Sequence, residues 1–284
     1  MLYVVKKPLG ISSNLVATIL KRVLKSTKMG FAGTLDPLAT GLMIVWTDGS
    51  PRLFPLIEDF SKTYHTTIRL DGTSDSYDLE QPVKPVEIDK NIIENLSQSD
   101  IEKVIQENFL WTISQTPPNY SAIWVDGKRA YDLARKGHEM ELKSKERIIE
   151  KFEIISYTWP SINARITVSH GTYIRSLARD LGSILWTGGY IERLERFSLG
   201  HIALDGDFEW RKHNDIFYAH LPHEILFPEI KVLALTGDEK KHLRLGSTPL
   251  STEQKNGHYF VVYDDSYGLL EAKEGLLFPI KNCV

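Results

Sequence analysis

The chain has 284 residues, 42% hydrophobic and 25% charged, with a formal net charge of −3 and a pI near 6.3. That length holds one large domain with a well-buried core, or a large domain and a small one, and the balance is that of a soluble globular protein. It weighs against a nonspecific nucleic-acid binder, which is usually basic, and the single cysteine, Cys283, excludes an internal disulfide and a multi-cysteine zinc site.

Met1–Lys7 is too short and too charged for a signal peptide. The apolar run Leu42–Trp46 falls far short of the roughly 20 residues of a membrane span. These features predict a cytoplasmic protein without a membrane partner.

Leu2–Val5 reads as a short strand and Lys7–Gly10 as a turn. Ser12 or Ser13 then caps a helix over Asn14–Lys25, with Val16, Ile19, Leu20, Val23 and Leu24 on one apolar stripe. The first half of the stretch Gly30–Gly41 fits neither period. The whole stretch holds three glycines, one carboxylate and one proline. Pro37 fixes its own φ and pushes Asp36 toward extended geometry. Such a loop suits a preorganised catalytic carboxylate, and equally a tight turn in which the aspartate bonds to nearby amides.

Lys62–Leu70 alternates as a half-buried strand carrying Tyr64. Asp71–Asp78 reads as a turn held by side-chain caps. Gln81–Leu110 reads as a peripheral helical section, its first half polar and loop-like. Ser99 and Glu102 there make a capping-box pattern, and Ile101, Val104, Ile105 and Phe109 make an apolar face.

Gln115–Ala122 is a rigid extended segment by its prolines. Gly127–Gly137 offers Lys128, Arg129, Arg135 and Lys136 either to phosphates or to solvent. Ala164–Val168 is a strand feeding Ser169–Arg175. A helix follows from Tyr173, with Ile174, Leu177, Ala178, Leu181, Ile184 and Leu185 as its core stripe. From about Glu229 the chain reads as a small β-rich module. His258–Tyr263 is a strand, turns lie at Lys255–Gly257 and Asp264–Tyr267, and Leu276–Phe278 is a last strand stopped by Pro279.

Several of these stretches resemble one family. Gly33–Gly41, GTLDPLATG, is similar to the catalytic motif of the TruB family of tRNA pseudouridine synthases. Lys7–Asn14 resembles its KPxGxSSN motif, Lys62–Tyr64 its K-x-Y, and Ser74–Asp78 its TDTxD stretch. Gln115–Ala122 resembles QxPPxYSA, Gly127–Gly137 GxxxYxxARxG, Ser169–Leu177 SKGTYIRSL, and Leu194–Arg196 LRR. The matches span about Lys7 to Gly200, some two-thirds of the chain.

The resemblance implies an α+β fold: a pseudouridine synthase catalytic domain over 1–225, with a mixed β-sheet and flanking helices. A small β-rich PUA-like RNA-binding module is expected over 229–284. It implies isomerisation of uridine to pseudouridine at position 55 of the tRNA T-loop, with base flipping. Asp36 is then the catalytic carboxylate, Tyr64 stacks on the flipped base, and Arg175 forms a buried pair holding Asp36 ionised. Phe31, Tyr173, Leu194, Lys62, Lys128 and Arg129 are the expected substrate contacts.

No cofactor and no metal is expected, the partner is the T-arm of tRNA, and the chain is expected to be a monomer. The sequence departs from bacterial relatives at Phe31 and Ala32, where histidine and threonine are usual, and at Trp124 and His170, where lysine is common. Lys6 stands where many have aspartate. Three rival readings keep the residues in view: a noncatalytic RNA-binding protein, a carboxylate hydrolase using Asp36 with Asp75 or Asp78, and a pseudouridine synthase acting on another RNA.

Overall fold

Alternating sequence becomes antiparallel pairing. The computed structural model describes residues 1–47, 57–125, 127–138, 140–244, 249–262 and 267–279. In chain order the elements begin with β1 (Leu2–Lys7), α1 (Ser13–Val23), β2 (Met29–Ala32), β3 (Ala39–Thr47) and β4 (Lys62–Arg69). Next come β5 (Gly72–Thr73), β6 (Lys84–Pro85), α2 (Lys90–Asn95), α3 (Gln98–Asn108), β7 (Trp111–Gln115), β8 (Trp124–Val125), β9 (Lys128–Arg129) and α4 (Ala130–Ala134). β10 (Lys145–Thr158), β11 (Ser161–Val168), α5 (Ile174–Ile184), β12 (Tyr190–Leu199), β13 (Ile202–Ala203), β14 (Arg211–His213) and β15 (Ile216–His220) follow. The last are α6 (His223–Leu226), β16 (Lys231–Leu233), α7 (Gly237–Arg244), β17 (Leu250–Ser251), β18 (Gly257–Val262), β19 (Tyr267–Lys273) and β20 (Leu276–Pro279).

The chain divides into two compact units. One comprises residues 1–37, 41–59 and 201–284, the other 38–40 and 60–200. In the first, β1 lies between β15 and β3, with β14 outside β15 and β2 against β3, all antiparallel. Both faces of β1 and β3 are covered, since the consecutive residues Val4, Val5, Leu42, Met43, Ile44 and Val45, which alternate between the faces, are all fully buried. α1 adds Val16 and Leu20, each contributing about 1.5–3 kcal/mol by leaving water. Ser12 caps the helix by accepting from Leu15 N. The helix ends at Val23, and Lys25 turns left-handed at φ 51°.

The C-terminal part of this unit forms a five-stranded sheet of its own, ordered β16, β18, β19, β20, β17. Leu243, Tyr259, Val261, Leu270, Ala272 and Leu277 make its core. β16 and β18 run parallel. Pro279 is the final residue of the last strand as described, where it pairs with Leu270. Most of the expected turn at Asp264–Tyr267, and Tyr263 and Cys283, lie outside the described residues.

In the second unit β4 lies between β11 and β12, β10 pairs with β11, and β7 pairs with β10. A parallel bridge joins Asp78 to Ile191. Helices flank these strands, so the architecture is the expected α+β with a mixed sheet.

Several details differ from the sequence reading, among them Gly30–Ala32, which fits neither period and lies in β2 against β3. The capping box sits at Ser97 and Asp100, two residues before the expected Ser99 and Glu102, and α2 occupies part of the stretch read as loop. The apolar face still forms, with Ile101, Ile105 and Phe109 buried. On α5, Ile184 is exposed in the last turn while Leu185 is buried.

α5 meets the strands through glycine. A Cβ on Gly189 would lie 2.0 Å from the Ala178 carbonyl oxygen, and one on Gly188 would lie 2.1 Å from that of Gly72. Backbone touches backbone here, which no residue with a side chain permits.

Candidate active site

The loop carrying Asp36 is held by the segment preceding it in the chain. Ser13 Oγ accepts from Leu35 N at 2.8 Å and donates to Leu35 O at 2.9 Å. Lys7 is 1% exposed and donates from Nζ to the carbonyls of Pro37 at 3.1 Å and Pro8 at 3.0 Å. Gly10 N donates to the same Pro37 oxygen at 2.9 Å. The backbone on both sides of Asp36 is therefore fixed by hydrogen bonds, buried on the Leu35 side and partly buried on the Pro37 side, and Gly33 (φ 67°) and Gly41 (φ 107°) bracket the loop in the left-handed region. Leu35 is buried as the loop's anchor, and Asp36 is half-buried.

Arg175 is not the exposed helical arginine that its position allowed. It is 2% exposed, and its terminal nitrogens donate to the Ser76 and Tyr120 carbonyls at 2.8 Å each. Its Nε lies 3.6 Å from Asp78 Oδ2, a carboxylate that is itself buried. Ser76 Oγ donates to Asp78 Oδ1 at 2.6 Å, and Glu80 N does so at 2.9 Å. Ser74 Oγ donates to Asp78 O at 2.6 Å. The turn expected at Asp71–Asp78 is thus held by side-chain caps, and it also houses the charge that faces Arg175.

A second clamp fixes the start of α5. The Gln115 amide donates to Tyr173 O at 3.1 Å and accepts from Tyr173 N at 2.8 Å. Ser176 Oγ donates to Thr116 O at 2.9 Å. Arg147 Nε donates to Gly171 O at 2.9 Å.

Tyr64 lies mid-strand on β4, 8% exposed, in register with Ile166 on β11 and Arg196 on β12. Leu194 is half-buried on β12 opposite Thr66, and its carbonyl accepts from Thr40 Oγ1 at 3.4 Å. Phe31 on β2 and Tyr173 at the head of α5 are half-buried. Lys62 is 7% exposed, with Nζ 2.6 Å from Phe60 O.

Lys128 and Arg129 are exposed on β9. Arg129 donates to Ala122 O at 2.8 Å and lies over the Trp124 ring. Close by, the Tyr131 phenol donates to Glu80, and that bond to a carboxylate raises the phenol's pKa.

The sequence reading brought forward Asp36, Tyr64 and Arg175, and named Asp78 only as a rival partner for Asp36, but gave no supporting role to Lys7, Ser13, Gln115 or Arg196. Arg196 is among the largest fully buried side chains. Lys7, Ser13, Asp78 and Gln115 each fall inside a stretch already matched to a motif, so the signal was present without a supporting role attached to it.

Among the described residues no cluster of His, Cys, Asp or Glu could hold a metal ion, and no helix is long and apolar enough to cross a membrane.

Comparison with known proteins places this geometry. A chain in the structure of an H/ACA RNP bound to a substrate RNA containing 2′-deoxyuridine superposes with a TM-score of 0.61. It is 18% identical, over 96% of this chain and 79% of that one. A chain of a Cbf5-Nop10-Gar1 complex matches at a TM-score of 0.54 and 24% identity, over 72% of this chain and 50% of that one. The fold is shared with both.

The tRNA pseudouridine synthase B of Parabacteroides distasonis is 44% identical over 185 residues, covering 65% of this chain and 77% of that protein. That of Aquifex aeolicus is 33% identical over 283 residues, covering 97% and 96%. The protein is of the pseudouridine synthase class. More particularly, residues 21–174 match the model for the N-terminal domain of TruB family pseudouridylate synthases, and the chain belongs to that family.

Proposed function

We propose that this enzyme converts uridine to pseudouridine at position 55 in the T-loop of tRNA, with Asp36 as its catalytic carboxylate. The observation that carries this reading is the clamped loop. Ser13, Lys7 and Gly10 fix the peptide groups on either side of Asp36, which spares the carboxylate reorganisation during reaction. Asp36 either attacks C1′ of the ribose or stabilises a cationic sugar while the glycosidic bond breaks. The uracil rotates and rejoins through carbon. Extruding the uridine from its stack costs a few kcal/mol, so a receiving surface is needed.

In this reading Tyr64 stacks on the extruded base and serves proton removal, and Phe31, Tyr173 and Leu194 are substrate contacts. Arg175 supplies the positive charge that keeps Asp36 ionised, since a cation within about 4–6 Å lowers a carboxylate pKa by about 1–3 units. Lys128 and Arg129 meet the RNA at the surface. Lys62, whose Nζ is tied to the Phe60 carbonyl at the start of β4, is a further substrate contact. Residues 1–225 form the catalytic domain, and the module over 229–284 is a PUA-like RNA contact. The enzyme works as a cytoplasmic monomer on the T-arm without a cofactor.

The test is site-mapped pseudouridine on an unmodified tRNA transcript, by carbodiimide-dependent reverse-transcription stops. A T-loop stop with wild type and none with Asp36→Asn is the expected result. Substantial turnover by Asp36→Asn overturns the assignment of the carboxylate, and a stop elsewhere changes the substrate site.

A further inference from the structure

Among the described residues Trp124 is 63% exposed, Trp111 72% and Trp186 82%, and of these three Trp124 has an arginine over its ring. It sits on a hairpin, paired across the strands with Arg129, while Val125 pairs with Lys128. Pairing continues beyond the hairpin through Ala130 N to Ile123 O at 2.8 Å and Tyr131 N to Ser121 O at 2.9 Å. The indole therefore stands on a backbone anchored at both ends.

The Arg129 guanidinium lies 4.9 Å from the indole centroid and is tied to Ala122 O. This cation–π contact leaves most of the ring in solvent. Lys128 and Arg129 are exposed on the same hairpin, and Arg135, 5.7 Å from the Tyr131 ring centroid, and Lys136 are exposed further along the chain, while the sequence of this stretch also carries Asp126 and Asp132. An exposed aromatic surface on a hairpin that also carries Lys128 and Arg129 matches the chemistry of a stacking platform for single-stranded nucleic acid, where the base takes the ring and the cations take the phosphates.

We infer that Trp124 is a nucleobase-stacking site, with Arg129 backing the indole, and that it binds an unpaired base of the RNA other than the one being isomerised. This rests on the proposed action on tRNA. A stacked base outside the reacting centre contributes to binding equally in the ground state and the transition state, so the site sets affinity and not the chemical rate.

The experiment measures the Kd of a T-arm stem-loop RNA for wild type, Trp124→Ala and Trp124→Phe, with pseudouridine formation read in the same mixtures. Trp124→Ala is expected to raise Kd and KM by roughly tenfold with kcat unchanged, and Trp124→Phe to recover most of the loss. An unchanged Kd in Trp124→Ala overturns the inference. So does equal loss in both variants, a lowered Tm in Trp124→Ala, or failure of the wild type to bind this RNA. Trp124-dependent binding without pseudouridine would uphold the stacking site and sink the proposed reaction instead.

Discussion

Lys7 places a buried ammonium on the carbonyl oxygen of Pro37, 30 residues further along the chain. An ammonium is costly to bury, and it is kept here by backbone acceptors at Pro8 and Pro37. Its position next to Asp36 explains why a charged residue is used where methionine would pack.

Lys7→Met removes the charge and keeps the stem. The loop then loses a charge-assisted bond of about 1.5–3 kcal/mol. Steady-state kinetics should show kcat down by roughly tenfold or more with KM for tRNA little changed. Unchanged kcat would mean that Gly10 and Ser13 suffice to hold the loop.

Asp78→Asn leaves the shape of the turn and deletes the carboxylate charge facing Arg175. A buried cation that loses a partner costs about 3 kcal/mol at the lower end, and the 3.6 Å separation favours that lower end. Thermal unfolding should show Tm lower by roughly 5–10 °C. An unaltered Tm would show that the guanidinium is satisfied without the Asp78 charge.

Tyr64 separates packing from chemistry through two variants. Tyr64→Phe keeps the ring and loses the hydroxyl, and Tyr64→Leu loses the ring. If the ring stacks and the hydroxyl serves proton removal, both fold, both bind tRNA, and both turn over at least tenfold more slowly. Full activity in both would return Tyr64 to the role of a core aromatic on β4.

Gly189→Ala should be among the most damaging small changes in the chain, because its Cβ would collide with the Ala178 carbonyl. Relief requires moving α5, and overpacking of this kind costs about 1–3 kcal/mol or more. Gly237→Ala has nothing within 4 Å and serves as the neutral control. Circular dichroism melts of the two decide whether the backbone contact is as tight as the geometry implies.

Much of this site was legible in sequence, for a physical reason. Asp36 is flanked by residues whose backbone restrictions are local, and strands such as Lys62–Arg69 announce themselves by period. The supports were not legible in the same way. Gln115 reads both peptide groups of Tyr173 across 58 residues, and no local period carries such a pair.

The displaced capping box shows a smaller limit. Ser97 and Ser99 both precede an acid by three residues, and the two hydroxyls hydrogen-bond to each other at 2.8 Å. Pattern alone does not rank them. The exposed Ile184 has a similar origin, since a stripe assigns a face but not where the neighbouring element ends.

The clamp on the Asp36 loop also bears on how the protein acquires its shape. Ser13 to Leu35 and Lys7 to Pro37 are separations of 22 and 30 residues, so the whole device closes within the first 37 residues. Loop closure of that length is entropically cheap, and such contacts form early relative to distant strand pairings. On a ribosome, the segment that moulds the Asp36 loop is made first and stands ready as the loop emerges. The most demanding local geometry in the enzyme can thus be templated before the strand bearing Tyr64 has been synthesised.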